Sequence, residues 1–241
     1  MTAARRDEIA ANLAAVEQRI AAACAEAGRN RDEITLIVIT KTYPASDVEL
    51  LASLGVTDVG ENRHPEAGDK RDEVDPHLRS PKLRWHFVGG LQTNKANAVT
   101  RYADVIHSVD RIKLIGAIER GAATAGREVT CLAQIQLSQI GLSQDAGRSG
   151  APAVEALSIA EAIAGSKHLV LGGVMAVAPL GEDPQTAFDE LRAVSEAVRE
   201  KYPQASAISA GMSGDLEQAV RAGATHLRIG RSVLGERPAL G

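Results

Sequence analysis

At 241 residues, the chain has the length of one large α/β unit, since barrels of roughly 250 residues form a single domain. A net charge of −4 and an aromatic content of 2% leave no basic footprint and few stacking rings, which excludes nucleic acid as the partner. No long uncharged apolar run occurs and Met1 to Ala10 carries charges of both signs, which excludes a membrane span and a secretory leader and predicts a cytoplasmic protein.

Apolar residues recur at helical spacing from Arg5 to Ala27, and Gly28 is placed to cap that helix. Strand and helix patterns then alternate. The β-branched run Ile34–Thr40 reads as the first strand, with Ser46–Leu54 as its helix. Thr57–Gly60 follows with a polar helix from Pro65 to Val74, then Leu83–Val88 with Gln92–Thr100, and Asp104–Ser108 with Arg111–Thr124. Val129–Leu137 precedes a helix at Pro152–Ala164, and Leu169–Val177 one at Thr186–Lys201. Ala205–Ser209 precedes Gly214–Ala222, and Thr225–Ile229 a short turn of helix at Ser232–Leu234. Eight strands alternating with helices predict a parallel sheet, and eight is the number that closes a (β/α)8 TIM barrel. An open doubly wound sheet fits less well, because no glycine-rich dinucleotide fingerprint follows the first strand. Residues 1–241 read as one domain, with residues 1–28 packing as an extra helix on the barrel. The longest loop falls at Ser138–Gly150 and is expected to be mobile.

In a barrel, chemistry gathers at the C-terminal ends of the strands. Lys41 stands there after the first strand, where an amine beside apolar surroundings loses its proton more easily and can condense with an aldehyde to a Schiff base. A solvated lysine is the plainer reading. Gly60-Glu61-Asn62 follows the second strand and His86 lies in the third. The loops after strands seven and eight, the usual phosphate site of such barrels, carry Ser209-Ala210-Gly211-Met212-Ser213 and Gly230-Arg231-Ser232. Glycines there admit a ligand close to the backbone, and Ser213 and Ser232 can cap the helices that follow and offer hydroxyls. Arg228 sits in an apolar strand, either ion-paired to a core carboxylate or facing a ligand ring nitrogen. Lys95 and its neighbours are a solvated helix start or an anion contact. His86 and His107 read as packing or hydrogen-bonding residues. Cys24 and Cys131 read as small buried residues without a disulfide.

Taken together, Thr40-Lys41-Thr42, Gly60-Glu61-Asn62, the run Trp85 to Lys95, Gly173-Val174-Met175, Ser209 to Glu217 and Arg228-Ile229-Gly230 resemble the pyridoxal phosphate homeostasis protein family (YggS/PROSC-type), related to the alanine racemase N-terminal domain. The resemblance implies that pyridoxal 5′-phosphate (PLP) is held as a Schiff base on Lys41. It implies that Ser209, Gly211, Met212, Ser213, Gly230 and Arg231 surround the phosphate, that Arg228 faces the pyridine nitrogen, and that Asn62 and His86 lie near the ring. It further implies a role in buffering PLP and supplying it to apo PLP-dependent enzymes without robust turnover; a closed barrel without an obvious apolar patch is expected to be a monomer. A PLP-dependent amino-acid racemase and a lysine Schiff-base aldolase are the alternatives. The chain departs from the family pattern at Ala210, where methionine is commoner, at Gly214, and at Arg231, where threonine or serine is common. Racemases of this fold bring a tyrosine from another domain or subunit, and no such second domain is expected in this sequence.

Overall fold

The computed structural model describes residues 3–78, 83–137 and 150–236. Helix α1 (Ala3–Glu26) leads into β1 (Thr35–Ile39), and the chain then alternates as the sequence predicts. The order is α2 (Ala45–Ser53), β2 (Asp58–Glu61), α3 (Glu66–Glu73), β3 (Arg84–Phe87), α4 (Ala96–Val99), β4 (Val105–Val109), α5 (Ile112–Ala125) and β5 (Val129–Gln136). It continues through β6 (Ala151–Pro152), α6 (Ala156–Ala164), β7 (Leu169–Met175), α7 (Pro184–Lys201), β8 (Ala207–Ser209), α8 (Leu216–Arg221), β9 (His226–Ile229) and α9 (Arg231–Leu234). The strand order β4-β3-β2-β1-β9-β8-β7-β5 closes on itself through β4 and β5. All these pairings are parallel, so the eight strands form the predicted TIM barrel. The two-residue β6 adds only to the end of β5, outside the closed sheet. The loop expected at Ser138–Gly150 lies outside the described residues except for Gly150. No helix among the described residues is long and apolar enough to cross a membrane.

Side chains alternate across each strand. On β1, Leu36 and Val38 join the large apolar layer between sheet and helices, while Ile37 and Ile39 face Gly60 across the barrel wall. The main core is therefore that annulus, built also from Trp85, Phe87, Ile106, Leu227 and Ile229 of the strands and Leu51, Ile118, Ile159 and Leu191 of the helices. Inside the barrel a separate small cluster of Val105, Leu132 and Met175 fills part of the space, beside Ile37, Ile39 and a set of buried polar residues. Close approach of β7 to β8 depends on Gly173 (φ +149°), where a Cβ would sit 2.0 Å from the Ala207 carbonyl oxygen.

Two predicted helices differ in detail. The helix expected at Gln92–Thr100 is a tight turn at Thr93–Lys95 followed by α4. Arg111 holds that turn by donating to the Leu91 carbonyl at 3.0 Å and to Thr93 Oγ1 at 3.2 Å. Helix α7 begins earlier than expected because Asp183 accepts from the N–H groups of Gln185 and Thr186, with Pro184 in the first turn.

Helix α1 buries Ile9, Val16, Ile20, Ala23 and Cys24 and is tied to the last two βα units. Arg5 donates to the Leu234 carbonyl, Asn12 to the Val233 carbonyl, and Arg19 to Glu217 and to the Ser213 carbonyl at 2.7 Å.

Candidate functional site

Three strand ends meet at the C-terminal rim of the barrel. Strand β1 lies beside β9, with Val38 opposite Ile229, so Lys41 and the residues after Ile229 are neighbours. Lys41 is half-buried and followed by Thr42 at φ +72°, a left-handed conformation that costs a threonine about 1–3 kcal/mol. Gly230 abuts the end of β1, since a Cβ there would lie 3.3 Å from the Ile39 carbonyl oxygen. The loop after β8 meets the loop after β9 through Ser213 Oγ and Ser232 Oγ, 2.9 Å apart. Gly211 turns the β8 loop at φ +90°, packed against Ala219 and Leu227. Met212 and Arg231 are exposed on this rim. Asn62 is half-buried, directly after β2. Lys41, Gly211, Met212, Ser213, Gly230 and Arg231 are thus brought to one side of the mouth, and Asn62 stands across β1 from the β9 loop.

The capping role expected of the two serines is corrected. Helix α8 starts at Asp215, whose Oδ1 accepts from the Met212 N–H at 2.6 Å. Ser232 lies inside α9. Both hydroxyls face each other instead of a helix start, which leaves them at the rim.

His86, Ser209 and Arg228 lie deeper, inside the barrel, where they join Asp58 and His107 in one buried row. Asp58 Oδ1 is 2.8 Å from His86 Nε2, His86 Nδ1 is 2.8 Å from His107 Nε2, and His107 Nδ1 is 2.9 Å from Ser209 Oγ. Arg228 then donates from Nη1 to Ser209 Oγ at 2.7 Å and from Nη2 to the Ala176 carbonyl at 2.9 Å. The sequence left Arg228 a choice between a core carboxylate and a ligand, and its donors here go to a hydroxyl and a carbonyl. Ser209, expected around the phosphate with its neighbours, has its hydroxyl engaged one layer below them.

The donors in this row can be assigned. Burial alone would raise the Asp58 carboxyl, but bonds from His86 and Thr57 and the charge of Arg84 outweigh it and bring it down to about 2, so Asp58 is an acceptor only. Burial holds His107 well below the ordinary histidine value, helped by the nearby His86 and Arg228, so it carries one ring proton. The Ser209 hydroxyl and the single protons of the two imidazoles all find acceptors in one arrangement, with donation running Arg228 to Ser209 to His107 to His86 to Asp58. Arg228, lowered to about 10 by burial, remains a cation at neutral pH and can only donate.

Beside Asn62 a cavity of about 280 Å³ is lined by Arg63, His64, Gly90, Gln92 and Lys95. Lys95 is half-buried and donates to the His64 carbonyl at 2.9 Å, so it is not freely solvated. A larger cleft, about 390 Å³, opens at the opposite end of the barrel around Arg31, Thr57, Asp58 and Arg84. It faces away from the strand ends that carry chemistry in this architecture.

Asp58 and His107 were not among the expected site residues. Their signal is period two: Val59 beside Asp58, Trp85 and Phe87 around His86, and Ile106 beside His107 each set a polar residue at an inward position next to an outward apolar one. Lys70 of α3, which donates to the Thr40 carbonyl at 2.7 Å directly before Lys41, gives no such signal, because a lysine on a polar helix reads as solvated.

Residues 11–238 match the family described as alanine racemase, N-terminal domain. A pyridoxal phosphate homeostasis protein of Mycobacterium tuberculosis is 39% identical, over 97% of this chain and 94% of that protein, and one of Escherichia coli K12 is 34% identical, over 96% of this chain and 97% of that protein. PipY of Synechococcus elongatus PCC7942, solved with PLP bound, superposes with a TM-score of 0.78 at 28% identity, covering 94% of this chain and all of that one. The chain therefore belongs to the alanine racemase N-terminal domain family and, within it, groups with the pyridoxal phosphate homeostasis proteins.

Proposed function

We propose that this protein binds PLP at the barrel mouth through Lys41 and serves PLP homeostasis by holding and supplying the cofactor, without robust turnover. The observation that carries the reading is the meeting of the β1, β8 and β9 ends, which sets Lys41 beside the paired hydroxyls of Ser213 and Ser232. PLP supplies an aldehyde that a lysine amine captures reversibly. The donor set fits the group. Lys41 offers the amine. Ser213, Ser232, Arg231 and the backbone at Gly211 and Gly230 offer donors for a phosphate dianion, and Met212, whose N–H is held by Asp215, lines the same loop. Asn62 would border the ring, Arg228 would face its nitrogen, and His86 and Ser209 would act on Arg228 through the buried row.

Arg228 also supports holding over turnover. A guanidinium that donates and does not release its proton keeps a pyridine nitrogen unprotonated, which weakens the ring as an electron sink. In the same reading the chain works in the cytoplasm as a monomeric barrel domain, with α1 packed on it, and passes PLP to apo-enzymes that need it.

The test is the near-visible absorbance of the purified protein with and without PLP, followed by borohydride reduction and peptide mass analysis. The parent should show a yellow band and a reduced adduct on Lys41, and Lys41→Ala neither. An adduct retained elsewhere in Lys41→Ala would move the site, and none in the parent would remove it. Sustained racemase or aldolase turnover by the same protein would replace holding with catalysis.

A further inference from the structure

Lys41 stands at the first central position of a four-residue turn. The Tyr43 N–H closes that turn on the Thr40 carbonyl at 3.0 Å, and Thr42 at the second central position carries the unfavourable φ of +72°. Such a conformation persists only where the surroundings over-determine it. Here the surroundings converge on Thr40. Its N–H donates to the Gly60 carbonyl at 2.9 Å. Its hydroxyl, pointing out of the barrel, donates to Glu61 Oε1 at 2.7 Å. Its carbonyl takes a second donor, Lys70 Nζ of α3, at 2.7 Å. Lys70 also pairs with Glu61 Oε1, and the two side chains are only 11% and 4% exposed.

A buried ion pair is a poor device for stability, since desolvation offsets most of its attraction and an apolar pair of equal volume does as well. This one is aimed at a single peptide group, the one preceding Lys41. We infer that Thr40, Glu61 and Lys70 form a positioning clamp that holds the strained turn so that the Lys41 amine meets its aldehyde in a reactive orientation. The inference rests on the reading of Lys41 given above. The step it assists forms a C–N bond at Lys41 and releases water, with no change of oxidation state.

Removing both charges together avoids stranding one of them, so the test variant is Glu61→Gln with Lys70→Met. The rate of capture is read by borohydride quenching at timed intervals after mixing with PLP, with the adduct quantified at Lys41. Affinity without capture is read by equilibrium dialysis of PLP in a Lys41→Ala background. The clamp variant should capture about 10- to 100-fold more slowly, with dialysis affinity unchanged. Adding Thr42→Gly, which accepts the left-handed conformation without strain, should restore part of the rate. Thr40→Val, which removes only the hydroxyl arm, should slow capture several-fold and serves alone should the double variant not fold. A parental rate in the double variant or in Thr40→Val would overturn the inference. So would an equal loss of dialysis affinity, which would mean general disruption of the site. A parent that forms no Lys41 adduct would instead remove the cofactor reading itself.

Discussion

A buried hydroxyl and an exposed one, four residues apart, separate structure from binding. Ser209 bridges His107 and Arg228 inside the barrel, so its removal leaves a buried imidazole nitrogen and a buried guanidinium N–H without partners. Ser209→Ala should lower stability by about 2 kcal/mol in urea titrations at pH 7. Ser213 shares its hydroxyl with Ser232 at the rim, and Ser213→Ala should cost less than about 0.5 kcal/mol while weakening PLP retention in dialysis. Equal losses of stability would contradict the separation of a buried row from a ligand rim. Sequence reading placed both serines on one loop and rightly expected polar residues there. The family resemblance implied both around the phosphate, and only barrel closure separates them, with the Ser209 hydroxyl in the buried row and the Ser213 hydroxyl at the rim.

At the scale of elements, the barrel depends on places where two strands approach more closely than side chains allow. A Cβ at Gly173 would meet the Ala207 backbone at 2.0 Å, so Gly173→Ala must part β7 from β8 and should cost at least about 3 kcal/mol by thermal or urea unfolding. Gly28 ends α1 at φ +66° with open space around it, and Gly28→Ala should cost only about 1 kcal/mol. Similar losses at the two sites would mean that conformation and not strand contact sets the penalty. The same scale explains why α1 belongs to the site. Its Arg19 holds the Ser213 carbonyl and Glu217, linking the first helix to the β8 loop about 200 residues later, as closed barrels bring distant segments together. The alternation of elements was legible because each strand is a short apolar run and each helix keeps its own period. Edges such as the Thr93–Lys95 turn were not, because Arg111 from a later element decides them.

For the molecule as a whole, the interior row and His226 set the response to acid. Burial lowers His226 to about 4 and holds His107 well below its ordinary value. Folding therefore favours their neutral forms. The unfolded chain binds more protons below about pH 6.5, so stability is full above that pH and falls as pH drops toward 4. His226 alone should remove about 2 kcal/mol between pH 7 and pH 5. Asp58, depressed to about 2, adds a second loss from about pH 4 downward. Urea titrations at pH 7 and pH 5 check this, and equal stability at the two would contradict buried neutral histidines. The fold class, the eight βα units, the lysine at the first strand end and the two polar loops were determined by the sequence itself, because periodicity and strand-end position are local properties of a chain. What only the tertiary structure decided is the partnership of residues far apart: Asp58 with His86 and His107, Ser209 with Arg228, Lys70 with Glu61 and Thr40. The first two exist because barrel closure sets the inward side chains of several strands at one level, and the third because α3 packs back over the outer face of β1 and β2; no window along the chain contains that geometry.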